Sequence, residues 1–177
     1  RKGARTLLVE RYGFVGGSSV SGFPFLGSHS GNGEKVVDGI PEEVVNRLIE
    51  AGGSRGHIRG GRWERAEEYE FSLTPYEPEI LKFVAQEMLL ESGANLMLHT
   101  YLIGTIVRDN RLIGIEVANK SGRSVIYANC FIDATGDADL AHLAGAPFQI
   151  GEQVQNVTLM FTVGGLDLER MVQEIET

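Results

Sequence analysis

The strongest constraint on the fold is a short apolar run that ends in an acid and is followed by a glycine-rich stretch. Residues 6–9 are apolar or β-branched and precede Glu10, whereas residues 11–39 are rich in glycine and serine and lack regular periodicity. An acid that ends the second strand of a dinucleotide-binding βαβ unit can accept hydrogen bonds from the hydroxyls of a ribose. A glutamate after a strand is more commonly just solvated, so the neighbouring residues must decide between these interpretations.

The residues that follow Glu10 favour a bound ligand. Arg11 offers a cation to a pyrophosphate. Gly16, Gly17 and Ser18 offer backbone amides that a phosphate can approach closely. Long loops inside compact domains are usually binding loops. The sequence therefore predicts a diphosphate-binding loop, although two adjacent glycines also fit a flexible turn.

A second candidate site lies in the segment 133–139, Asp-Ala-Thr-Gly-Asp-Ala-Asp, where an apolar run ends in a tight turn. The turn precedes a short predicted helix over 137–144, and a helix N-terminus presents free amides to a phosphate. Gly136 permits close approach of a ligand to the backbone, and Asp137 can cap the helix or bind a ribityl hydroxyl. The alternative is a helix cap that binds no ligand.

Periodicity and turn residues predict the remaining elements. Pro41 and Pro78 open amphipathic helices that end at Gly52 and Gly93. A short strand is predicted over 95–99, and 101–130 reads as an antiparallel meander turning at Asp109-Asn110 and Ser121-Gly122. The predicted strands of the meander cover 101–107, 111–118 and 124–133. The end of the last one, 130–133, is apolar enough for a strand buried on both faces of a parallel sheet. A strand over 158–163 and a helix from Leu168 are also expected, so the sequence indicates an α/β fold.

Composition excludes several classes of function. The formal net charge of −8, with no cluster of lysine and arginine, opposes nucleic-acid binding. No run of about 18 apolar residues predicts a membrane span, and no signal peptide is recognisable. Cys130 is the single cysteine, which makes a reducing cytoplasm the default location. The four histidines, His29, His57, His99 and His142, show no metal-ligand spacing. His29 and His57 lie in glycine-rich loops and could reach a cleft, but they are interpreted as exposed loop residues.

The segment at Asp133 also invites a different interpretation. Asp-x-Thr-Gly after an apolar strand is similar to the nucleophile motif of haloacid-dehalogenase-type phosphatases, with Asp133 as the phosphorylated carboxylate. That chemistry needs a later lysine, and none follows Asp139. A calcium loop fits less well, because the spacing lacks the glycine and terminal glutamate of an EF-hand. The phosphatase remains a remote alternative.

Three segments together resemble a known family: 2–11, the glycine pair at 16–17, and 131–137. The chain resembles FAD-dependent oxidoreductases related to the fumarate reductase flavoprotein subunit and, more distantly, to glutathione reductase. The resemblance also includes 39–43, 77–79 and 159–161. It implies a Rossmann-like FAD-binding domain whose parallel sheet carries an antiparallel meander as an insertion, and it implies FAD as the cofactor.

The resemblance also implies roles for the candidate residues. Glu10 would hold the adenosine ribose, and Arg11 matches the basic residue that often follows the acid. Gly16, Gly17 and Ser18 would lie along the pyrophosphate and flavin. Gly136 and Asp137 would face the pyrophosphate and the ribityl chain, and Thr135 belongs to the same turn. The full set of expected cofactor-binding residues is Glu10, Arg11, Gly16, Gly17, Ser18, Thr135, Gly136 and Asp137.

The sequence departs from the family in one respect. The first strand, its Gly-x-Gly-x-x-Gly turn and most of the next helix are expected before Arg1, which is roughly 30 residues of a βαβ unit. On this basis the chain is expected to be an excised or truncated piece. It would comprise an FAD-binding core over 1–30 and 77–150, an insertion or cap over 31–76, and the start of a substrate domain over 151–177.

The expected function is transfer of a hydride or electron pair between a small organic substrate and FAD. The alternative is a non-catalytic fragment that does not bind FAD by itself. No residue can be assigned as catalytic from the sequence, and the substrate, the electron partner and the oligomeric state stay open.

Overall fold

The structure, a computed structural model, describes residues 3–59, 72–151, 158–161 and 163–175. At residues 59, 168, 172 and 175 it describes the backbone only. Contacts divide the chain into two compact units. The first unit consists of residues 1–15 and 82–155, and the second consists of residues 16–81 and 156–177.

The first unit contains a parallel pair of strands and an antiparallel meander. Strand β1 (Leu7–Val9) pairs in parallel with β5 (Asn95–Met97). The meander is formed by β6 (Tyr101–Arg108), β7 (Arg111–Asn119) and β8 (Gly122–Tyr127) in sequential order. Asp109 and Asn110 adopt positive φ angles of 50° and 58°, as a tight two-residue hairpin turn requires. The predicted strands after Thr6 and at 95–99 and the predicted antiparallel meander are confirmed, whereas the pairing of β1 with β5 was not predicted.

The second unit is built on a small antiparallel sheet of order β2-β4-β3. Its strands are β2 (Phe25–Leu26), β3 (Ile58–Arg59) and β4 (Ser72–Thr74). A 3-10 helix, Gly17–Ser21, precedes β2. The stretch 11–39 therefore holds only these short elements and one isolated bridge between His29 and Lys35, in agreement with its glycine content.

The helices follow their sequence signals closely. Helix α1 spans Ile40–Glu50 with proline in its first turn, and α2 spans Pro78–Glu91. Helix α3 is Asp139–Leu143 and α4 is Leu168–Ile175. Gly53 follows α1 and packs against α2, because a Cβ there would lie 2.7 Å from Cγ2 of Ile80. The buried apolar residues include members of α1, α2, β7 and α3: Val45, Leu48, Leu81, Val84, Met88, Val117 and Leu140.

Two strand predictions are wrong over part of their length. Strand β8 ends at Tyr127, and 128–133 lies outside any strand, with Ile132 84% exposed. Residues 158–161 and 163 are likewise outside any strand, and Phe161 is 78% exposed. An apolar run indicates burial, whereas a strand also needs a neighbour for its backbone hydrogen bonds. The described residues provide no such neighbour to either segment. Residue 162 of the second predicted strand and residues 60–71 of the expected insertion lie outside the described residues.

Candidate functional site

Glu10 lies directly after β1, where the backbone is held on both sides. Its N–H donates to the carbonyl of Met97 at 2.9 Å, and its own carbonyl accepts from the N–H of Thr100 at 3.0 Å. Its carboxylate oxygen Oε1 accepts a hydrogen bond from the N–H of Tyr12 at 2.8 Å. Among the described residues, Oε2 has no partner. The carboxylate thus shapes the turn with one oxygen, and the other oxygen can accept a further hydrogen bond.

Arg11 stacks on a surface column of aromatic rings. Its Cζ lies 4.8 Å from the centroid of the Tyr12 ring, and that ring stacks on Phe14 with centroids 5.5 Å apart. At the other end, Lys82 Nζ lies 4.4 Å from the centroid of Phe14. A guanidinium stacked face-on keeps its N–H donors directed outward from its edge. Arg11 is exposed in this position, so those edges remain accessible to an anion.

The loop after Glu10 is fixed against a histidine that sequence reasoning did not assign. A Cβ on Gly13 would lie 2.6 Å from Cε1 of His99, so only glycine allows this approach. The N–H of His99 donates to the carbonyl of Tyr12 at 3.0 Å, and His99 itself has a φ of 49°. A non-glycine residue in the left-handed region is strained and needs support from its surroundings. His99 therefore serves to hold the loop.

The glycine pair opens the 3-10 helix in the second unit. Gly16 precedes the helix with a φ of 118°, and Gly17 has a φ of 54°, both in the region that favours glycine. A Cβ on Gly17 would meet nothing within 4 Å, so its backbone faces open space. Ser18 follows in the first turn, where helical amides lack partners within the helix. These residues present accessible backbone N–H groups.

Tyr76 anchors this glycine segment to the sheet. Its hydroxyl lies within hydrogen-bonding distance of the carbonyls of Ser19 and Phe23, the latter at 2.7 Å. Its ring stacks on Phe25 with centroids 4.4 Å apart. Burial raises the pKa of the Tyr76 phenol. A phenol has one proton to share between the two carbonyls, so it stays protonated and holds the middle of the 3-10 helix together with Phe23, which follows the helix. No local pattern in the sequence pointed to this role.

The turn at 133–139 is organised by a carboxylate. Oδ1 of Asp133 accepts from the backbone N–H of Thr135 at 3.0 Å and from its hydroxyl at 2.7 Å. Oδ2 accepts from the N–H of Ala141 in α3 at 2.9 Å. The Thr135 oxygen in turn accepts from the N–H of Asp139 at 2.9 Å, whereas Ala138, which precedes α3, makes no side-chain cap. Asp133 and Thr135 together join the turn to the helix.

These contacts favour the ionised form of Asp133. Desolvation alone would raise its pKa, but hydrogen bonds from the backbone of Thr135 and Ala141, the Thr135 hydroxyl and the backbone of Leu140 outweigh it and lower the pKa. Both carboxylate oxygens are thereby engaged. A phosphatase nucleophile needs a free carboxylate oxygen to attack phosphorus, so this geometry speaks against that alternative.

Gly136 stands at the tip of the turn. Its φ is 89°, and a Cβ there would meet nothing within 4 Å. Gly136 and Asp137 are both exposed. The backbone can therefore be approached closely from outside, as a phosphate or sugar requires. Thr135, Gly136 and Asp137 form one turn in the first unit, which also carries Glu10 and Arg11. The glycine pair and Ser18 belong to the second unit.

A second polar cluster, which we term the histidine cluster, lies on the β2-β4-β3 sheet. It consists of Ser28, His29, Lys35, Glu42, His57, Ser72 and Thr74. The rings of His29 and His57 meet edge to face with centroids 6.0 Å apart. Ser28, Ser72 and Thr74 are at most 4% exposed. The interpretation of the two histidines as exposed loop residues is wrong, because the sheet brings them together and buries their partners.

Both ring nitrogens of His57 are engaged within this cluster. Nδ1 lies 2.6 Å from the hydroxyl of Thr74, and Nε2 lies 2.9 Å from Oε2 of Glu42. Oε1 of Glu42 accepts from Lys35 at 2.5 Å. These hydrogen bonds, first that of Lys35 and then that of His57, lower the pKa of the Glu42 carboxyl. Glu42 therefore supplies a fixed negative charge beside the imidazole.

His29 is held differently and keeps one nitrogen available. Its Nδ1 lies 3.1 Å from the hydroxyl of Ser28, and its backbone N–H donates to the hydroxyl of Ser72 at 2.9 Å. Among the described residues, Nε2 has no hydrogen-bond partner. His29 is half-buried. The contacts with Ser28 and Ser72 therefore fix the position of the ring.

Over the described ranges, no group of three or more His, Cys, Asp or Glu side chains is arranged to hold a metal ion. None of the helices in the same ranges is long and apolar enough to cross a membrane.

The first unit has a parallel strand pair that ends in an acid, as dinucleotide-binding α/β domains do. The sequence profile described as FAD dependent oxidoreductase matches residues 1–176. The chain therefore belongs to the FAD-dependent oxidoreductase family. Its fold is the Rossmann-like FAD-binding fold, FAD is its cofactor, and it is an FAD-binding part of an oxidoreductase.

Three solved structures illustrate the similarity. Thermovibrio ammonificans THI4 shares 18% identity at a TM-score of 0.49, over 82% of this chain and 55% of that one. The glycerol-3-phosphate dehydrogenase from Bacillus halodurans complexed with FAD shares 17% identity at a TM-score of 0.42, over 72% of this chain and 28% of that one. L-proline dehydrogenase from P. horikoshii shares 19% identity at a TM-score of 0.36, over 63% and 27% respectively. A comparison with curated proteins gave no match.

Proposed function

We propose that the protein transfers a hydride or electron pair between a small organic substrate and FAD. Membership of the FAD-dependent oxidoreductase family supports the reaction class. The structural observation that supports it best is Glu10, whose carboxylate at the end of β1 keeps one oxygen without a partner in the described residues. When bound, FAD supplies the redox chemistry, and the protein supplies position and electrostatics.

In this proposal the first unit binds the adenosine ribose, the pyrophosphate and the ribityl chain of the cofactor. Glu10 accepts hydrogen bonds from the adenosine ribose, and Arg11 directs its guanidinium edge toward the pyrophosphate. Thr135 holds the second turn in shape through Asp133. Gly136 offers its backbone to the pyrophosphate, and Asp137 accepts from a ribityl hydroxyl. The absence of a side chain at Gly136 supports this, because a Cβ there would project into open space.

In the second unit, Gly16, Gly17 and Ser18 would donate backbone N–H groups along the pyrophosphate and flavin. Their support is the pair of positive φ angles at the glycines and the open space beside Gly17. We also propose the wider organisation expected from sequence. It comprises an FAD-binding core over 1–30 and 77–150, an insertion or cap over 31–76, and the beginning of a substrate domain over 151–177, in a protein of the cytoplasm.

We further infer that these 177 residues do not turn over substrate by themselves. Large apolar side chains stand exposed, including Ile132 at 84%, Leu159 at 84% and Phe161 at 78%. Apolar surface of this kind is usually covered by other parts of a protein or a partner. The chain also spans 55% or less of each solved structure described above. Retention of FAD after desalting, compared between this segment and the full-length protein, tests whether the segment holds the cofactor that turnover requires.

The main test uses the full-length protein. A flavin absorbance band retained after desalting, and FAD-dependent thermal stabilisation, are expected. The variant Glu10→Gln removes a charged acceptor and should weaken FAD binding by about 10-fold or more, since hydrogen bonds to charged groups contribute about 1.5–3 kcal/mol. Glu50→Gln, an exposed position at the end of α1, is the matched control and should bind like wild type. Full-length protein that stays colourless and shows no thermal response to FAD would overturn the proposal.

A further inference from the structure

The turn that carries Glu10 is held by residues 98–100, between β5 and β6, which we term the β5–β6 corner. The backbone N–H of Thr100 donates to the carbonyl of Glu10 at 3.0 Å, and that of His99 donates to the carbonyl of Tyr12 at 3.0 Å. Between these two bonds, the N–H of Tyr12 donates to Oε1 of Glu10 at 2.8 Å. Two successive amides of the corner therefore set the turn, and the turn sets one carboxylate oxygen of Glu10.

The β5–β6 corner has a backbone conformation that needs support. His99 stands in its middle with a φ of 49°, and a residue with a side chain persists in the left-handed region only when its surroundings fix it. The hydroxyl of Thr100 donates to the carbonyl of Leu98 at 2.8 Å, so this bond bridges directly across His99. The Thr100 hydroxyl is therefore a side-chain contact within the corner that holds it in this conformation.

A donor from the meander directs this hydroxyl. Thr100 is 1% exposed, and Nδ2 of Asn119, the last residue of β7, donates to its Oγ1 at 3.3 Å. Oδ1 of Asn119 accepts from the N–H of Ser121 at 2.9 Å, which fixes the side-chain amide. A hydroxyl has a single proton, and because Asn119 donates to the oxygen, that proton is directed to the carbonyl of Leu98. A methyl group in place of the hydroxyl would leave both of these groups without this partner.

A buried threonine with two hydrogen bonds can also serve stability alone. The contacts of the β5–β6 corner argue for more, because two of its backbone amides bond to the turn of Glu10 and the ring of His99 lies against Gly13 of the same loop. A carboxylate displaced by about 1 Å no longer makes the same hydrogen bond to a ligand. The two roles predict different results. A purely structural residue changes ligand binding whatever stands at residue 10, whereas a positioning residue acts through the carboxylate.

We propose that Thr100 is a positioning residue for cofactor binding. Its hydroxyl, directed by Asn119, holds the β5–β6 corner, and the corner places the carboxylate of Glu10 for hydrogen bonds from the hydroxyls of the adenosine ribose. Thr100 itself is buried and does not touch the cofactor. The inference rests on the proposed function, because it takes Glu10 as the residue that binds the ribose.

The test is a double-mutant cycle on the Kd for FAD, measured by flavin fluorescence with the full-length protein. Wild type, Thr100→Val, Glu10→Ala and the double variant are compared. Valine keeps the branched shape of threonine but lacks the hydroxyl. Thr100→Val alone should raise the Kd by about 3- to 10-fold, the usual effect of one hydrogen bond. In the Glu10→Ala background the same change should raise the Kd by less than about 2-fold, because the carboxylate that it positions is gone.

Three further variants complete the design. Thr100→Ser keeps the hydroxyl and should bind FAD like wild type. Ser92→Ala is the matched control, because the hydroxyl of Ser92 donates to the carbonyl of Leu89 at 2.6 Å in the same unit, after α2. It should lower the melting temperature and leave the Kd for FAD unchanged. If Thr100→Val does not fold, Asn119→Asp takes its place in the cycle, since it removes the donor to Thr100 and keeps the acceptor for the backbone of residue 121.

The outcomes separate the inference from the proposed function. Equal increases in Kd with and without the Glu10 carboxylate would overturn the inference, because Thr100 would then act independently of Glu10. A wild-type Kd in Thr100→Val would overturn it as well. Wild-type protein that binds no FAD, or Glu10→Ala protein that binds FAD as tightly as wild type, would contradict the proposed function itself, and the inference with it.

Discussion

The backbone of Gly13 lies so close to the ring of His99 that a Cβ at residue 13 would stand 2.6 Å from Cε1 and 2.7 Å from Nε2. This contact fixes the loop that leaves Glu10. Gly13 does not have a positive φ, so the constraint is one of space and not of backbone conformation.

Replacing Gly13 with alanine is therefore expected to destabilise the protein by about 1–3 kcal/mol, the usual cost of overpacking. The variant His99→Ala should relieve most of that cost when combined with Gly13→Ala, because the two residues are in contact. Urea unfolding of the two single variants and the double variant measures the coupling. Strictly additive changes would show that the ring of His99 does not restrict residue 13.

The phenol of Tyr76 provides a second prediction. Tyr76→Phe keeps the stacking on Phe25 but removes the hydroxyl that holds the carbonyls of Ser19 and Phe23. A loss of stability of about 1 kcal/mol is expected. FAD binding by the full-length protein should weaken as well, because the glycine segment loses its anchor.

Ser54→Ala is the matched control for Tyr76→Phe. The hydroxyl of Ser54 donates to the carbonyl of Pro75 at 2.6 Å, beside Tyr76 but away from the glycine segment. This variant should lose a similar amount of stability and keep the FAD affinity of wild type. Fluorescence titration with FAD, together with thermal melts, distinguishes the two. Equal FAD affinities in both variants would contradict the anchoring role.

The acid sensitivity of the second turn follows from Asp133. Its pKa in the folded protein lies below the ordinary value of 3.8, so the unfolded chain binds the proton more readily. The stabilisation by this carboxylate is complete above the unfolded pKa and is lost as the pH falls through the lower folded pKa. Wild type should therefore lose stability relative to Asp133→Asn when the pH is lowered from 5 to below about 3.8. Unfolding free energies at several pH values measure this difference, and parallel curves for the two proteins would refute it.

Local signals in the sequence predicted much of the scaffold. Pro41 and Pro78 mark the starts of α1 and α2 because proline is tolerated in the first turn of a helix. The turn at Asp109-Asn110 predicted the first hairpin of the meander. The position of Glu10 after β1 was likewise readable, because the apolar run over 6–9 ends there. In each case the information lies within a few neighbouring residues.

Other features depend on contacts between distant parts of the chain. His29 and His57 meet only because β2 and β3 both pair with β4, and no pattern within either loop indicates that pairing. The anchor at Tyr76 likewise joins residues that are far apart in sequence. The run 128–133 led to a wrong strand prediction. Its composition is that of a strand, but its backbone has no ladder partner in the described residues. The composition of a segment does not indicate whether a neighbouring strand is there to pair with it.

The parallel pairing of β1 with β5 has a consequence for the order of folding. Leu7 is in register with Asn95, so forming this pair closes a loop that contains all of the intervening chain. The meander, in contrast, closes through short turns between consecutive strands. Closing a long loop costs more entropy than closing a short one, and non-local pairs form slowly. The segment that carries Glu10 is therefore expected to join the sheet late. A nucleotide that binds there would stabilise the state in which β1 has already paired with β5.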